Sequence, residues 1–143
     1  MSAVDLPATT PLAPVAGRSQ AASGRLRVLV IDDEPGVRRY VRRALDLAGH
    51  LVVEAPDGRT GIDQVVAGAP DVVLLDLGLS DLPGEEVLRR IRALRPRLPV
   101  LVWTAAADVH AERRCRSLGS DTFLHKPVAL AALIASVDEV GER

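Results

Sequence analysis

Lysine is almost absent from this chain of 143 residues. Of 18 basic side chains, only Lys126 is a lysine, and the others are arginines. Cysteine is equally scarce. Cys115 stands alone, which excludes an intramolecular disulfide and fits a reducing compartment. Long apolar runs are missing too, and no stretch approaches the ~20 residues that a membrane-spanning helix needs. The N-terminus has neither a basic start nor an apolar h-region, so no secretory signal is expected. Charges nearly cancel, at a formal net charge of -1, which removes any compositional case for bulk attraction to nucleic acid or membrane. The expectation is one cytoplasmic domain, large enough to bury a core without disulfides or a structural metal.

Residues 1–24 are rich in Ala, Pro, Thr and Ser and carry no apolar period, with Pro7, Pro11 and Pro14 opposing helix and ladder alike. They read as a flexible tail. From Arg25 onward, short apolar runs alternate with amphipathic segments, and residues 25–143 read as the domain. The runs are Leu26–Ile31, Leu51–Val53, Val72–Leu75, Pro99–Trp103 and Thr122–Leu124. They are mostly unalternated, as strands covered on both faces are. Between them lie five helical stripes. The first joins Val37, Val41, Ala44, Leu45 and Ala48, with Pro35 suited to the first turn and Gly49 to the stop. The second starts near Ile62, Val65 and Val66 and is handicapped by Gly61. The third joins Val87, Leu88, Ile91 and Leu94, supported by Glu85–Arg89 and Glu86–Arg90 pairs. Ala111, Cys115 and Leu118 mark a fourth. Leu130, Leu133, Ile134 and Val137 mark a fifth. Five strand–helix repeats with right-handed crossovers predict a doubly wound five-stranded parallel sheet.

Ligands of such sheets sit at the carboxyl ends of the strands. Four runs end in a reactive polar residue: Asp32-Asp33, Asp76, Thr104 and Lys126. Adjacent carboxylates repel unless a cation lies between them and a further partner. Hard oxygen donors with room for water suit Mg²⁺. Asp76 can serve as a nucleophile toward phosphorus. Thr104 offers a hydroxyl donor, and Lys126 a flexible point charge that pairs with Asp76 when empty and with phosphate when loaded. Each residue alone has a plainer explanation: a helix cap for Asp33, a loop cap for Asp76, a strand residue for Thr104, a lysine before proline for Lys126. Together, in order on successive strand ends, they point to phosphoryl transfer onto a carboxylate.

At this point the chain resembles the receiver domain of two-component response regulators, over roughly residues 26–140. The motifs are Val-Leu-Val-Ile-Asp32-Asp33-Glu-Pro, Val-Leu-Leu-Asp76-Leu-Gly-Leu, Pro-Val-Leu-Val-Trp-Thr104-Ala and Phe123-Leu-His-Lys126-Pro127. The resemblance implies a flavodoxin-like (βα)5 fold with strand order 2-1-3-4-5. It implies that Asp76 accepts phosphate from a histidine kinase or a histidine phosphotransfer protein. Asp33, Asp76 and the carbonyl of Gly78 would hold Mg²⁺, with Asp32 acting mainly through water. Thr104 and Lys126 would take the phosphoryl oxygens. Phe123 stands at the aromatic switch position, without a tyrosine's hydroxyl; plain core filling is the alternative.

The resemblance is incomplete in the loop after the acceptor. Ser80 stands where many relatives have proline, and Pro83 precedes Gly84 where a polar residue is frequent. Gly78 and Ala106 occupy positions that influence the attacking water in this family. Neither side chain can orient one, so an acyl phosphate that is not especially short-lived is expected. No further module is legible after the fifth helix, so output through a downstream protein target rather than direct nucleic-acid contact is expected. Arg38, Arg39, Arg42 and Arg43 form a basic face where the phosphodonor docks in this family; a solvated helix face is the alternative. A pseudo-receiver that never takes phosphate and the receiver piece of a hybrid kinase phosphorelay remain as other readings. A haloacid-dehalogenase-like phosphatase wants an acid where Gly78 stands. The Asp32-Asp33-Glu34 run would repel a flavin phosphate. The domain is expected to be a phosphoacceptor rather than an enzyme.

Overall fold

The computed structural model describes residues 24–105 and 108–142. The tail at 1–24 lies outside them except for Gly24, and so does Ala106. Five strands form one parallel sheet: β1 (Arg27–Ile31), β2 (Leu51–Ala55), β3 (Val72–Leu75), β4 (Val100–Thr104) and β5 (Thr122–His125). Their order is β2-β1-β3-β4-β5, the order that the resemblance to receiver domains implies. The helices are α1 (Pro35–Leu47), α2 (Gly58–Gly68), α3 (Gly84–Leu94), α4 (Ala111–Ser117) and α5 (Leu130–Gly141).

The sheet separates two apolar layers. Leu29, Ile31, Val73, Leu75, Val100, Val102 and Phe123 join α2, α3 and α4 on one face. Val28, Val30, Val72, Leu74, Leu101 and Trp103 join α1 and α5 on the other. Adjacent residues of β1, β3 and β4 thus face opposite layers, which is why these runs do not alternate in polarity. β3 and β4 are buried at every position. Edge strand β2 behaves differently. It runs two residues beyond the expected Val53, and Leu51 and Val53 are exposed because no neighbour covers that side.

Helix limits follow local chemistry. Pro35 opens α1, and Gly49 ends it with a φ of 95°. Ala48, expected in the stripe, is exposed, as is Leu94 of α3. Helix α2 begins at Gly58, four residues before Ile62, because the Asp57 side chain caps it by accepting from Thr60 N at 2.8 Å. Gly61 is a packing requirement rather than a handicap. A Cβ there would lie 2.4 Å from Ile31 Cδ1. The Glu86–Arg90 pair forms at 2.9 Å. Glu85 instead reaches across to Arg114 of α4 at 2.8 Å, because the neighbouring helix presents a guanidinium that can meet both of its oxygens.

Candidate functional site

Chain reversal in strand order places the site. The chain leaves β1 for β2 on one side and returns to β3 on the other, so β1 and β3 are neighbours, with Ile31 paired to Leu75. The residues that follow each strand therefore meet at the sheet's carboxyl edge. Asp76 N donates to Ile31 O at 3.0 Å, carrying the ladder up to the acids themselves. One carboxylate oxygen from each of Asp32, Asp33 and Asp76 lies within 4.8 Å of the others.

Asp32 is 1% exposed, and each of its polar atoms is engaged. Its N–H donates to Ala55 O at 3.2 Å. Oδ1 accepts from Glu34 N at 3.0 Å, Oδ2 from Lys126 Nζ at 2.8 Å, and the carbonyl oxygen from Arg38 Nη1 at 2.6 Å. Asp33, half-buried, has no side-chain partner among the described residues. Glu34 is the N-cap residue of helix α1 and no side chain caps the helix, so capping does not occupy Asp33. The Asp76 side chain is 11% exposed and accepts no hydrogen bond among the described residues; its closest cation is Lys126 Nζ, 3.7 Å from Oδ2.

Lys126 thus meets Asp32 more closely than Asp76, the partner expected from the sequence. Two features set that geometry. Lys126 N donates to Thr104 O at 2.8 Å, which continues the β4–β5 ladder. The ammonium also lies 4.6 Å from the centroid of the Trp103 ring, a cation–π arrangement. Thr104 closes β4 opposite His125 and is 1% exposed. Phe123 is buried at 6% exposure and meets the His125 ring edge-on, with centroids 5.0 Å apart.

The arginine face divides. Arg38 is folded inward, its side chain 13% exposed, with Nε on Glu54 Oε1 at 3.1 Å. Arg42 takes the other Glu54 oxygen at 3.0 Å. Arg39, Arg42 and Arg43 are exposed.

The acceptor loop holds a tie that sequence reasoning missed. Asp81 Oδ1 and Oδ2 accept from Gly58 N and Arg59 N, at 2.8 and 2.9 Å, at the start of α2. Burial pushes the Asp81 carboxyl upward, yet the N–H groups of Gly58, Arg59 and Leu82 outweigh it and hold it below its ordinary 3.8. No spacing rule links positions 58 and 81, so only the fold reveals the pair. Gly84 explains the unusual Pro83-Gly84 step. A Cβ at Gly84 would lie 2.4 Å from Leu77 Cα and 3.0 Å from Asp76 O. Between α3 and α4, Arg114 bonds Glu85 and also Asp108 at 2.7 Å, and its hydrogen bonds hold both carboxyls below their ordinary values.

Three oxygen-donor acids around one point, two of them without hydrogen-bonded side-chain partners, fit a hard divalent cation such as Mg²⁺. Comparison with known proteins agrees with this fold. The family model for the response regulator receiver domain matches residues 28–138. Response regulator MprA of Mycolicibacterium vanbaalenii is 40% identical over 110 residues, 77% of this chain and 48% of that protein. MprA of Mycobacterium avium is 38% identical over the same shares. The chain therefore spans about half the length of the curated relatives it matches. Among solved structures, a CheY-like receiver domain from Methanospirillum hungatei superposes with a TM-score of 0.79 at 24% identity, over 81% of this chain and 93% of that one. The receiver domain of a LuxO repressor protein from Vibrio parahaemolyticus gives 0.79 at 27% identity, over 83% and 92%.

The fold and the acid pocket define a two-component signalling module. This chain belongs to the response regulator receiver domain family. Receiver domains are phosphoacceptor signalling domains rather than classical enzymes, bind Mg²⁺ at such a pocket, and interact with histidine kinases and downstream targets. No described helix is long and apolar enough to cross a membrane.

Proposed function

We propose that Asp76 accepts a phosphoryl group from the phosphohistidine of a histidine kinase or histidine phosphotransfer protein. A carboxylate oxygen of Asp76 forms a bond to phosphorus as the histidine N–P bond breaks. The leaving imidazole nitrogen keeps the electron pair and takes up a proton. The observation that carries this reading is the placement of Asp76: a carboxylate that accepts no hydrogen bond among the described residues, beside two acids and 3.7 Å from the lysine.

Asp33, Asp76 and the Gly78 carbonyl would hold Mg²⁺, with Asp32 acting through water. The ion supplies charge screening between the acids and an incoming phosphate. Lys126, held by Asp32 and Trp103, swings a short way to the phosphoryl oxygens, and Thr104 donates its hydroxyl to another. Phe123 follows Thr104 as the switch. Gly78 brings no side chain to orient a water, which supports a phosphate that is not especially short-lived. Arg39, Arg42 and Arg43 are the exposed part of the basic face and the docking residues of this reading.

The output in this reading is contact with a downstream protein. Phosphoacceptance itself is tested by intact mass after acetyl phosphate with Mg²⁺. We expect one added phosphoryl group on the wild type and none on Asp76→Asn. Equal labelling of both proteins overturns the reading by placing the phosphate elsewhere, and labelling of neither while both are folded overturns it in favour of a pseudo-receiver.

A further inference from the structure

We infer that Arg38, braced by Glu54, is a positioning residue for the metal-binding acids rather than a docking residue. The inference rests on the proposed phosphoacceptor reading and deepens it. Arg38 sits in the first turn of α1, and its backbone N–H makes an early helical bond, to Glu34 O at 3.1 Å. Its side chain turns back beneath the helix start instead of outward. The guanidinium spans two elements: Nε meets Glu54 Oε1 of β2 at 3.1 Å, and Nη1 meets the carbonyl oxygen of Asp32 at 2.6 Å. Glu54 is fixed from two sides, since Arg42 Nη1 holds Oε2 at 3.0 Å. A second guanidinium thus helps to hold the carboxylate that Arg38 leans on.

The target of Arg38 matters. The Asp32 carbonyl belongs to the planar peptide that joins Asp32 to Asp33. Holding its oxygen sets the plane of that peptide, and with it the direction in which Asp33 leaves the backbone. Asp33 has no side-chain partner among the described residues to fix it by other means. Asp32 needs no such help, since its N–H and both carboxylate oxygens are already bonded. A brace at this carbonyl thus acts chiefly on Asp33, the acid with no side-chain partner among the described residues.

Charge does not explain the arrangement. Glu54 offsets Arg38, so the pair adds little net positive potential at the acids. Its contribution is geometric: a rigid guanidinium fork matched to two acceptors, which a lysine's point charge reproduces only in part. The removal of groups that orient metal ligands typically weakens metal affinity by about 10- to 100-fold.

Calorimetric titration with Mg²⁺ tests this, on wild type, Arg38→Met, Arg38→Lys and Glu54→Gln, each with a thermal melt in the absence of metal. We expect the Mg²⁺ midpoint of Arg38→Met to rise about ten-fold or more, Arg38→Lys to recover part of the loss, and Glu54→Gln to fall between. A folded Arg38→Met with wild-type Mg²⁺ affinity overturns the inference, as does a lowered melting temperature with unchanged affinity, which marks a purely structural role. If Arg38→Met does not fold, Glu54→Gln decides by the same criterion. A folded wild type that takes up no Mg²⁺ sinks the phosphoacceptor reading along with this one, whereas normal wild-type uptake with indifferent variants sinks this one alone.

Discussion

At the scale of single residues, burial and charge give neighbouring groups very different reactivities. Cys115 is fully buried against α3 and β5 in the layer shared with Phe123. Burial first, and the nearby negative charge of Glu85 second, push its thiol up to about 11. At pH 8 roughly a thousandth of it is thiolate. We expect no iodoacetamide adduct on the folded protein at pH 8 and complete alkylation in urea, read by intact mass. Stoichiometric labelling of the native protein would contradict the buried placement. The identities of Asp32, Asp33, Asp76, Thr104 and Lys126 were legible because each terminates an apolar run. Which of them pairs with which was not. The 2.8 Å bond from Lys126 to Asp32 depends on where β5 lies relative to β1, and no local pattern encodes that distance.

At the scale of elements, α2 shows how propensity and packing compete. Gly61→Ala in a helix gains about 1 kcal/mol of intrinsic propensity. The new methyl would lie 2.4 Å from Ile31 Cδ1 and 2.8 Å from Cγ1, in a layer with Ile31 fully buried. Overpacking of that kind typically costs about 1–3 kcal/mol. Packing outweighs propensity at so short a distance, and we expect Gly61→Ala to be destabilised by about 1–2 kcal/mol in urea unfolding. A stabilised variant would show that Ile31 has room to turn aside. Periodicity located α2, but its start at Gly58 depended on the Asp57 cap, and the need for Gly61 on the approach of a strand thirty residues earlier. The same distinction separates β2 from the inner strands. Its composition reads like theirs, yet its edge position leaves Leu51 and Val53 uncovered.

At the scale of the whole molecule, Asp81 fastens the acceptor loop to α2 across the strand-order reversal. Loss of a helix cap typically costs about 1 kcal/mol, and Asp81→Ala should lower the melting temperature accordingly. The pH dependence has a definite sign. A carboxyl held below its ordinary value stabilises the fold above that value and loses its contribution as the pH falls through the folded-state value. The gap between wild type and Asp81→Ala should therefore be full at pH 6 and shrink as the pH drops below about 4. A gap that does not change with pH would mean that the charge of Asp81 plays no part in the tie.

The sequence by itself determined the alternation of strand and helix, the doubly wound parallel sheet through right-handed crossovers, and the identities of the acids, hydroxyl and lysine. These depend on periodicity and on chain direction, which are local properties. Tertiary structure alone decided that Arg38 turns inward while Arg39 and Arg43 face solvent, that Glu85 pairs with Arg114, and that Asp81 holds α2. Each of those choices compares partners far apart in the chain. Hydrogen-bonding groups take the best-placed partner in space, and only the packed sheet brings those partners within reach.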